Sequence, residues 1–309
     1  MRRLLLPGTD LTVSALCLGT ASFGSRLSEA ESRRMLDHFV DLGGNFIDTA
    51  LNYADWHHPE PAISEKVIGR WLRSRPDADE IVVATKGACP RPDRFFRVTP
   101  ECIRADVTAS LAHLQVETIP LYWLHRDDPS MPVGPIIDVL NELVAVGHIR
   151  HFACSNWTAD RIEQAQAHAE THGLQGFVAD QLMWSLAEPG PLADKTIVVM
   201  DPALHALHTR TGLPAVAFSA QAKGLFSGRY DREHPPPQDS AVAPYWTEAN
   251  RALLDRVLAA ATRHDVAPAA VALAALSQQP FPTIPVIGAS TLDQLTESCA
   301  GADLVLTDW

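Results

Sequence analysis

The 309-residue sequence is poor in cysteine, and none of its five cysteines (Cys17, Cys89, Cys102, Cys154 and Cys299) has a near neighbour at Cys-x-x-Cys spacing. An odd number of scattered thiols argues against a disulfide framework or a zinc site, and for reduced side chains that pack as small apolar residues. Positive charge is also scarce. Twenty-five Lys and Arg against 37 Asp and Glu leave a net charge of −12, and no segment concentrates the basic residues. Neither nucleic acid nor an anionic membrane surface is therefore an expected partner, and any anion must be held by local groups. Long apolar runs are missing as well. The start "MRRLLLPGTD" breaks at Pro7 and Gly8 after three leucines, too short for a signal peptide or a bilayer span, which predicts a cytoplasmic protein. Finally, no Gly-x-Gly-x-x-Gly turn follows the first apolar run. "CLGTASFG" offers only Gly19 and Gly24, which counts against a doubly wound dinucleotide-binding sheet.

What the chain does have is an ordinary globular mixture, 46% hydrophobic and 20% charged, laid out as short apolar runs alternating with amphipathic segments. The candidate strands are "SALCLG" (14 to 19), "NFID" (45 to 48), "IVVATK" (81 to 86), "LYWLH" (121 to 125), "IRHFACS" (149 to 155), "GFVADQ" (176 to 181), "AVAFS" (215 to 219) and "IPVIG" (284 to 288). Helix signals lie between them. Ser28 and Glu31 form a capping box, Ser64 opens "EKVIGRWLRS", and Thr99-Pro100-Glu101 is an N-cap followed by a first-turn proline. Other helical segments close on Gly147 and Gly173, and two more fill roughly 247 to 264 and 268 to 278. Strand-then-helix units in series, with no linker near the middle, predict one (β/α)8 TIM barrel over residues 1 to 309. The proline-rich stretch from 227 to 246 is the long irregular segment, of the kind that is usually functional or mobile.

In such a barrel the reactive groups project from the C-terminal ends of the strands. Here those ends carry Asp48, Lys86, His125, Ser155 with Asn156, Gln181, Phe218 with Ser219, and Gly288. Tyr53 follows Asp48 closely enough to fold back over the same mouth. A carboxylate closing the apolar run "NFID" needs a partner, and Lys86 supplies one. A lysine ammonium beside a tyrosine stabilises phenolate and lowers the tyrosine pKa, so Tyr53 reads as a general acid tuned by Lys86 and Asp48. His57 and His58 adjoin Asp55 but diverge on an extended loop, with no third ligand spaced to join them, so no metal is expected.

The ordered set "FIDTALNYADW", "VVATKG" and "LYWLHRDD" resembles the Asp, Tyr, Lys and His tetrad of the aldo-keto reductase superfamily, at Asp48, Tyr53, Lys86 and His125. "VSALCLGTASFG", "ISEKVIGRWL", "LNELVAVGHIRHFACSNW", "SAQAKGLFSG" and "IPVIGASTLDQL" extend the likeness over nearly the whole chain. The resemblance implies an NADPH/NADP cofactor, with NADH also admitted, lying across the barrel mouth. It places Ser155, Asn156 and Gln181 on the carboxamide and Phe218 on the nicotinamide ring. It puts Ser219, Lys223 and Leu225 in the segment over the pyrophosphate, and Gly288, Ser290, Thr291, Gln294, Glu297 and Ser298 at the far phosphate and adenine. Gly19, Thr20 and Asp48 complete that cofactor set. Gly288 is expected to open the last helix, with Thr291 and Gln294 as its capping pair and free N–H groups to seat a phosphate. Thr291 stands where many relatives have arginine, which leaves NADP and NAD both open.

The implied reaction is hydride transfer between nicotinamide C4 and a carbonyl carbon, with Tyr53 giving the oxygen its proton and His125 orienting it. Asn52, Trp56, His57, Trp157, Trp184 and Trp246 are the expected substrate-binding residues. Flat aromatic walls with polar neighbours suit a sugar, glycoside or polyol, placed slightly ahead of an aromatic aldehyde. The acids of "HRDDP", Asp127 and Asp128, read as turn and capping residues. The competing reading is a nicotinamide-binding regulatory subunit with little turnover, and the oligomeric state is left open.

Overall fold

A computed structural model of the chain describes residues 1–91, 95–307 and 309. The chain begins with an antiparallel hairpin, β1 (Arg3–Leu5) and β2 (Thr12–Ser14). Eight parallel strands follow: β3 (Cys17–Gly19), β4 (Phe46–Asp48), β5 (Val82–Gly87), β6 (Ile119–Leu124), β7 (Ile149–Ser155), β8 (Asp180–Met183), β9 (Ala215–Phe218) and β10 (Thr283–Ile287). They pair in sequence and close through β10 against β3. The helices are α1 (Glu29–Asp41), α2 (Ile63–Leu72), α3 (Pro100–Leu114), α4 (Val133–Ala145), α5 (Ala159–His172), α6 (Pro202–Thr211), α7 (Glu248–His264), α8 (Pro268–Ser277) and α9 (Leu292–Cys299). The protein is the (β/α)8 barrel that its alternating pattern predicts.

Strand side chains alternate between two environments. Cys17, Phe46, Val82, Ala84, Leu121, Trp123, Val216 and Ile284 pack together as one cluster filling the lumen. Their neighbours Leu18, Ile47, Val83, Tyr122, Leu124 and Ala217 join the cluster shared with the helices. Continuing the same alternation by one step puts Asp48, Lys86 and His125 on the lumen side at the upper end of β4, β5 and β6. Hairpin residues Leu6, Leu11 and Val13 belong to the lumen cluster, so the hairpin plugs the opposite end.

Several boundaries differ from expectation. "SALCLG" is divided: Ser14 ends β2, its hydroxyl donating to the Leu16 carbonyl, and the barrel strand starts only at Cys17. Ser64 does not cap α2. The cap is Ala62 in left-handed backbone, and Ser64 is buried inside the first turn, hydrogen-bonded to Thr20 and Thr49. Helix α6, which the sequence patterns did not single out, is capped by Asp201 and has Pro202 in its first turn.

Candidate active site

Lys86 is 1% exposed, and its ammonium makes three hydrogen bonds, as many as it has protons. They run to Asp48 Oδ2 at 2.5 Å, to the Thr49 carbonyl at 2.8 Å and to Tyr53 Oη at 3.0 Å. The loop after β4 is folded back to make this possible: Thr49 N donates to the Ala84 carbonyl and Leu51 N to the Lys86 carbonyl, and Ala54 turns through a left-handed φ of 73°. Ala54, Ala88, Asn156, Ser219 and Lys223 all hold positive φ just beyond strand ends. Such backbone is uncommon for residues with a Cβ and gathers at functional sites.

Because an ammonium can only donate, Tyr53 Oη is the acceptor from Lys86, and its own proton is free to point elsewhere. Burial raises the Tyr53 pKa. Lys86 pulls against that rise and Asp48 adds to it, and the net direction is upward. The expected lowering by Lys86 is therefore real as an influence and outweighed by desolvation. For Lys86 the balance falls the other way: burial opposes the charged form, and Asp48 with Tyr53 more than offsets it, leaving the ammonium stabilised. The His125 ring lies 5.8 Å from the Tyr53 ring, edge to face. Burial, then Lys86 and Arg126, hold the His125 pKa well below its ordinary value, so the imidazole is neutral.

Beside this cluster runs a groove of about 1020 Å³. Gly19, Asp48, Tyr53, Trp56 and His57 line one part of it. Phe218, Ser219 and Lys223 line another, and Gly288, Ser290, Thr291, Gln294, Glu297 and Ser298 the far end. Three cations, Arg26 from one segment and Lys223 and Arg229 from another, also face it, in a chain whose net charge is −12. Arg26 and Arg229 were not anticipated. Their only signal was a place in the long segments that follow β3 and β9, in "FGSRLSE" and "FSGRYD". Trp56 is 55% exposed and meets the Tyr53 ring edge to face, and Arg26 Nη2 donates to His57 Nε2 at 3.1 Å.

Other expected residues are placed differently. Trp157 is fully buried beneath the mouth, packed on Phe177, with Nε1 bonded to the Arg126 carbonyl. Asn156 at the end of β7 is left-handed, and the residue after it, Trp157, belongs to the core between strands and helices and does not line the groove. Trp184 stacks on Phe281, and Trp246 packs among α7-side apolar residues under Arg251. Neither lines the groove. Asn52 donates to Cys89 Sγ at 3.1 Å. Thr20 is buried with its hydroxyl committed to the Asp48 carbonyl and Ser64, and the Leu225 side chain is buried in the core.

The α9 end is likewise corrected. The helix starts at Leu292, capped by Thr291 Oγ1 accepting from Gln294 N. Gln294 Oε1 takes the Ser290 N–H and Gln221 Oε1 takes the Gly288 N–H, so these amides are not free donors. Ser155, Asn156 and Gln181, the expected carboxamide contacts, bond one another and the tetrad: Asn156 Nδ2 donates to Ser155 Oγ and the His125 carbonyl, while Gln181 Nε2 donates to Asp48 Oδ1. In "HRDDP", Asp128 accepts from Ser130 N as a turn residue, while Asp127, expected to do the same, forms a two-pronged ion pair with Arg161. Among the described residues no group of three His, Cys, Asp or Glu side chains is arranged to hold a metal ion, and no helix is long and apolar enough to cross a membrane.

Comparison with known proteins bears on this geometry. A family model described as "Aldo/keto reductase family" matches residues 15–309. Norsolorinic acid reductase B of Aspergillus parasiticus is 29% identical over 99% of this chain and 81% of its own length. The uncharacterized oxidoreductase YrpG of Bacillus subtilis is 30% identical over 96% and 90%, and Protein tas of Escherichia coli 27% identical over 98% and 93%.

Proposed function

Since the chain belongs to the aldo/keto reductase family and is an oxidoreductase of carbonyl compounds, we propose that it uses NADPH or NADH to interconvert an aldehyde or ketone and its alcohol, with Tyr53 as the proton donor. The observation that carries this reading is the direction of the Lys86 to Tyr53 hydrogen bond. It leaves the phenol proton available to a carbonyl oxygen placed in the groove.

The groove suits a dinucleotide. Arg26, Lys223 and Arg229 offer local positive charge for a pyrophosphate, and Phe218 offers a ring in the groove that Asp48 and Tyr53 also line. Ser155, whose hydroxyl accepts from Asn156 and keeps its own proton to donate, is the carboxamide partner at the end of β7. A bound reduced nicotinamide supplies the hydride. Tyr53 gives its proton to the developing alkoxide, Lys86 stabilises the phenolate left behind, and neutral His125 offers a hydrogen bond to the same oxygen without adding charge. The buried setting of Lys86 and Asp48 keeps their ion pair away from solvent, while Tyr53 reaches the groove.

Of the six expected substrate contacts, Trp56 and His57 line the groove. One exposed ring beside the proton donor fits a flat carbonyl compound that stacks on a single face better than a sugar held between several walls. The relatives named as norsolorinic acid reductases support reduction as the direction.

The test mixes the protein with NADPH and with NADH and follows nicotinamide absorbance over a panel of aromatic, aliphatic and sugar carbonyls. Turnover with at least one is expected, and Tyr53→Phe should lower kcat by about 10²- to 10⁴-fold while leaving cofactor affinity nearly intact. A Tyr53→Phe variant that keeps most of its activity would sink the assignment.

A further inference from the structure

The resemblance gives Gln181 one task, contact with the carboxamide. The structure shows it doing something else. In the ring of eight strands β4 and β8 are four places apart and so lie opposite each other. Gln181 and Asp48 nonetheless touch, Gln181 Nε2 donating to Asp48 Oδ1 at 2.8 Å. This hydrogen bond spans the lumen as a diameter. Both residues are 2% exposed, so no solvent stands in for either partner.

The Asp48 carboxylate thus has its two oxygens assigned. Oδ2 takes the Lys86 ammonium and Oδ1 takes the Gln181 amide. A single ion pair leaves a carboxylate free to rotate about its Cβ–Cγ bond. A second donor from the far wall removes that freedom, because both oxygens are then held along fixed directions. Lys86 is in turn the group that bonds Tyr53. The chain of contacts Gln181, Asp48, Lys86, Tyr53 therefore crosses the whole mouth and ends on the proton donor.

We propose that Gln181 is a positioning residue for the proton transfer, acting through Asp48 and Lys86 to fix Tyr53, and that its contact with Asp48 is a functional requirement separate from cofactor binding. The inference rests on the carbonyl-reductase reading above. A neutral amide suits the role: it donates to the carboxylate without altering the charge balance of the buried Asp48 and Lys86 pair. A glutamate of the same length would set two carboxyl groups against each other, which then share a proton and titrate as a pair.

Two variants test this, each purified as the full chain and checked by circular dichroism. Gln181→Met removes the donor at nearly constant volume, and kcat for carbonyl reduction is expected to fall about 10- to 100-fold, the effect of losing a buried hydrogen bond to a charged group. Gln181→Glu should add a titration on the acid side of the kcat profile that the wild type lacks. In both, NADPH and NADH dissociation constants, measured by quenching of protein fluorescence, should move far less than kcat. If both variants lose cofactor affinity while kcat at saturating cofactor and the pH profile stay as in the wild type, Gln181 is a cofactor contact alone and the proposal falls. Should the methionine variant fail to fold, the glutamate variant decides by its pH profile. Wild-type protein that binds nicotinamide cofactor yet turns over no carbonyl would overturn the underlying reductase reading instead, an outcome visible before any variant is made.

Discussion

Lys86 sits at the point where the requirements of charge and of hydrogen bonding coincide, and the pH behaviour of the site follows from it. Reduction needs Tyr53 protonated. Its pKa is raised above the ordinary tyrosine value of about 10, first by burial, so kcat/KM for reduction should hold through neutral pH and be lost only as pH rises through that raised value. His125 is depressed by burial and by Lys86, so it stays uncharged down through its ordinary value near 6.5 and contributes no limb there. A pH profile of kcat/KM that instead breaks near neutrality, with the break removed in a His125→Gln variant, would contradict the neutral assignment. The residue after Lys86 is as constrained as Lys86 itself. A Cβ on Gly87 would lie 1.9 Å from Tyr122 Oη and 2.8 Å from Asp106 Cβ, and Tyr122 is fully buried. Gly87→Ala should destabilise the fold by about 1–3 kcal/mol, the range for overpacking, read as a lower urea midpoint at unchanged slope.

Elements differ in how openly the sequence announces them, and the loop between β5 and α3 shows why. Asp106, on α3, accepts the Ala88 N–H at one end of this loop and both prongs of Arg97 at the other. One buried carboxylate thus clamps the neck of a loop that presents Phe95 and Phe96 to solvent at 54% and 53% exposure. Asp106→Ala leaves Arg97 buried and unpaired, and such losses run to about 3–5 kcal/mol. Chemical denaturation checks the figure, and an Arg97→Met, Asp106→Leu double variant should recover much of it, since both charges go together. Nothing local in "ECIRADVTAS" signals this role, because the partners come from other segments of chain. Signals confined to a few residues were legible: the Ser28 box and the Thr99 cap form as read. Strand ends were legible from where each apolar run stops, which is how Asp48, Lys86 and His125 could be brought together at the barrel mouth from sequence. What failed was any inference past a reversal of the backbone. Trp157, just past Asn156 at φ 62°, belongs to the core, and Ala62, with no side-chain cap, displaces Ser64 as the start of α2.

At the scale of the whole molecule the barrel divides into a reactive upper end and a sealed lower one, and the two should respond differently to damage. Leu6 is fully buried in the turn of the N-terminal hairpin, where its N–H donates to the Leu11 carbonyl, and it packs in the lumen cluster with Phe46 and Trp123. Phe46 is two residues below Asp48 on β4, and Trp123, on β6, two below His125, so a layer of lumen side chains separates the plug from Asp48 and His125. Leu6→Ala removes buried methyl groups and opens a cavity at the far end, a change worth about 2–5 kcal/mol of stability. Close packing transmits such a defect to its immediate neighbours, while Asp48 and Lys86 remain tied to each other, to Thr49 and to Gln181 above that layer. The expected result is a lower unfolding midpoint with kcat per folded molecule and cofactor affinity within about twofold of wild type, the additivity expected of distant sites. A Leu6→Ala protein that stays fully folded but loses turnover would mean that the plug sets the geometry of the upper layer, and that the two ends of the barrel act as one unit.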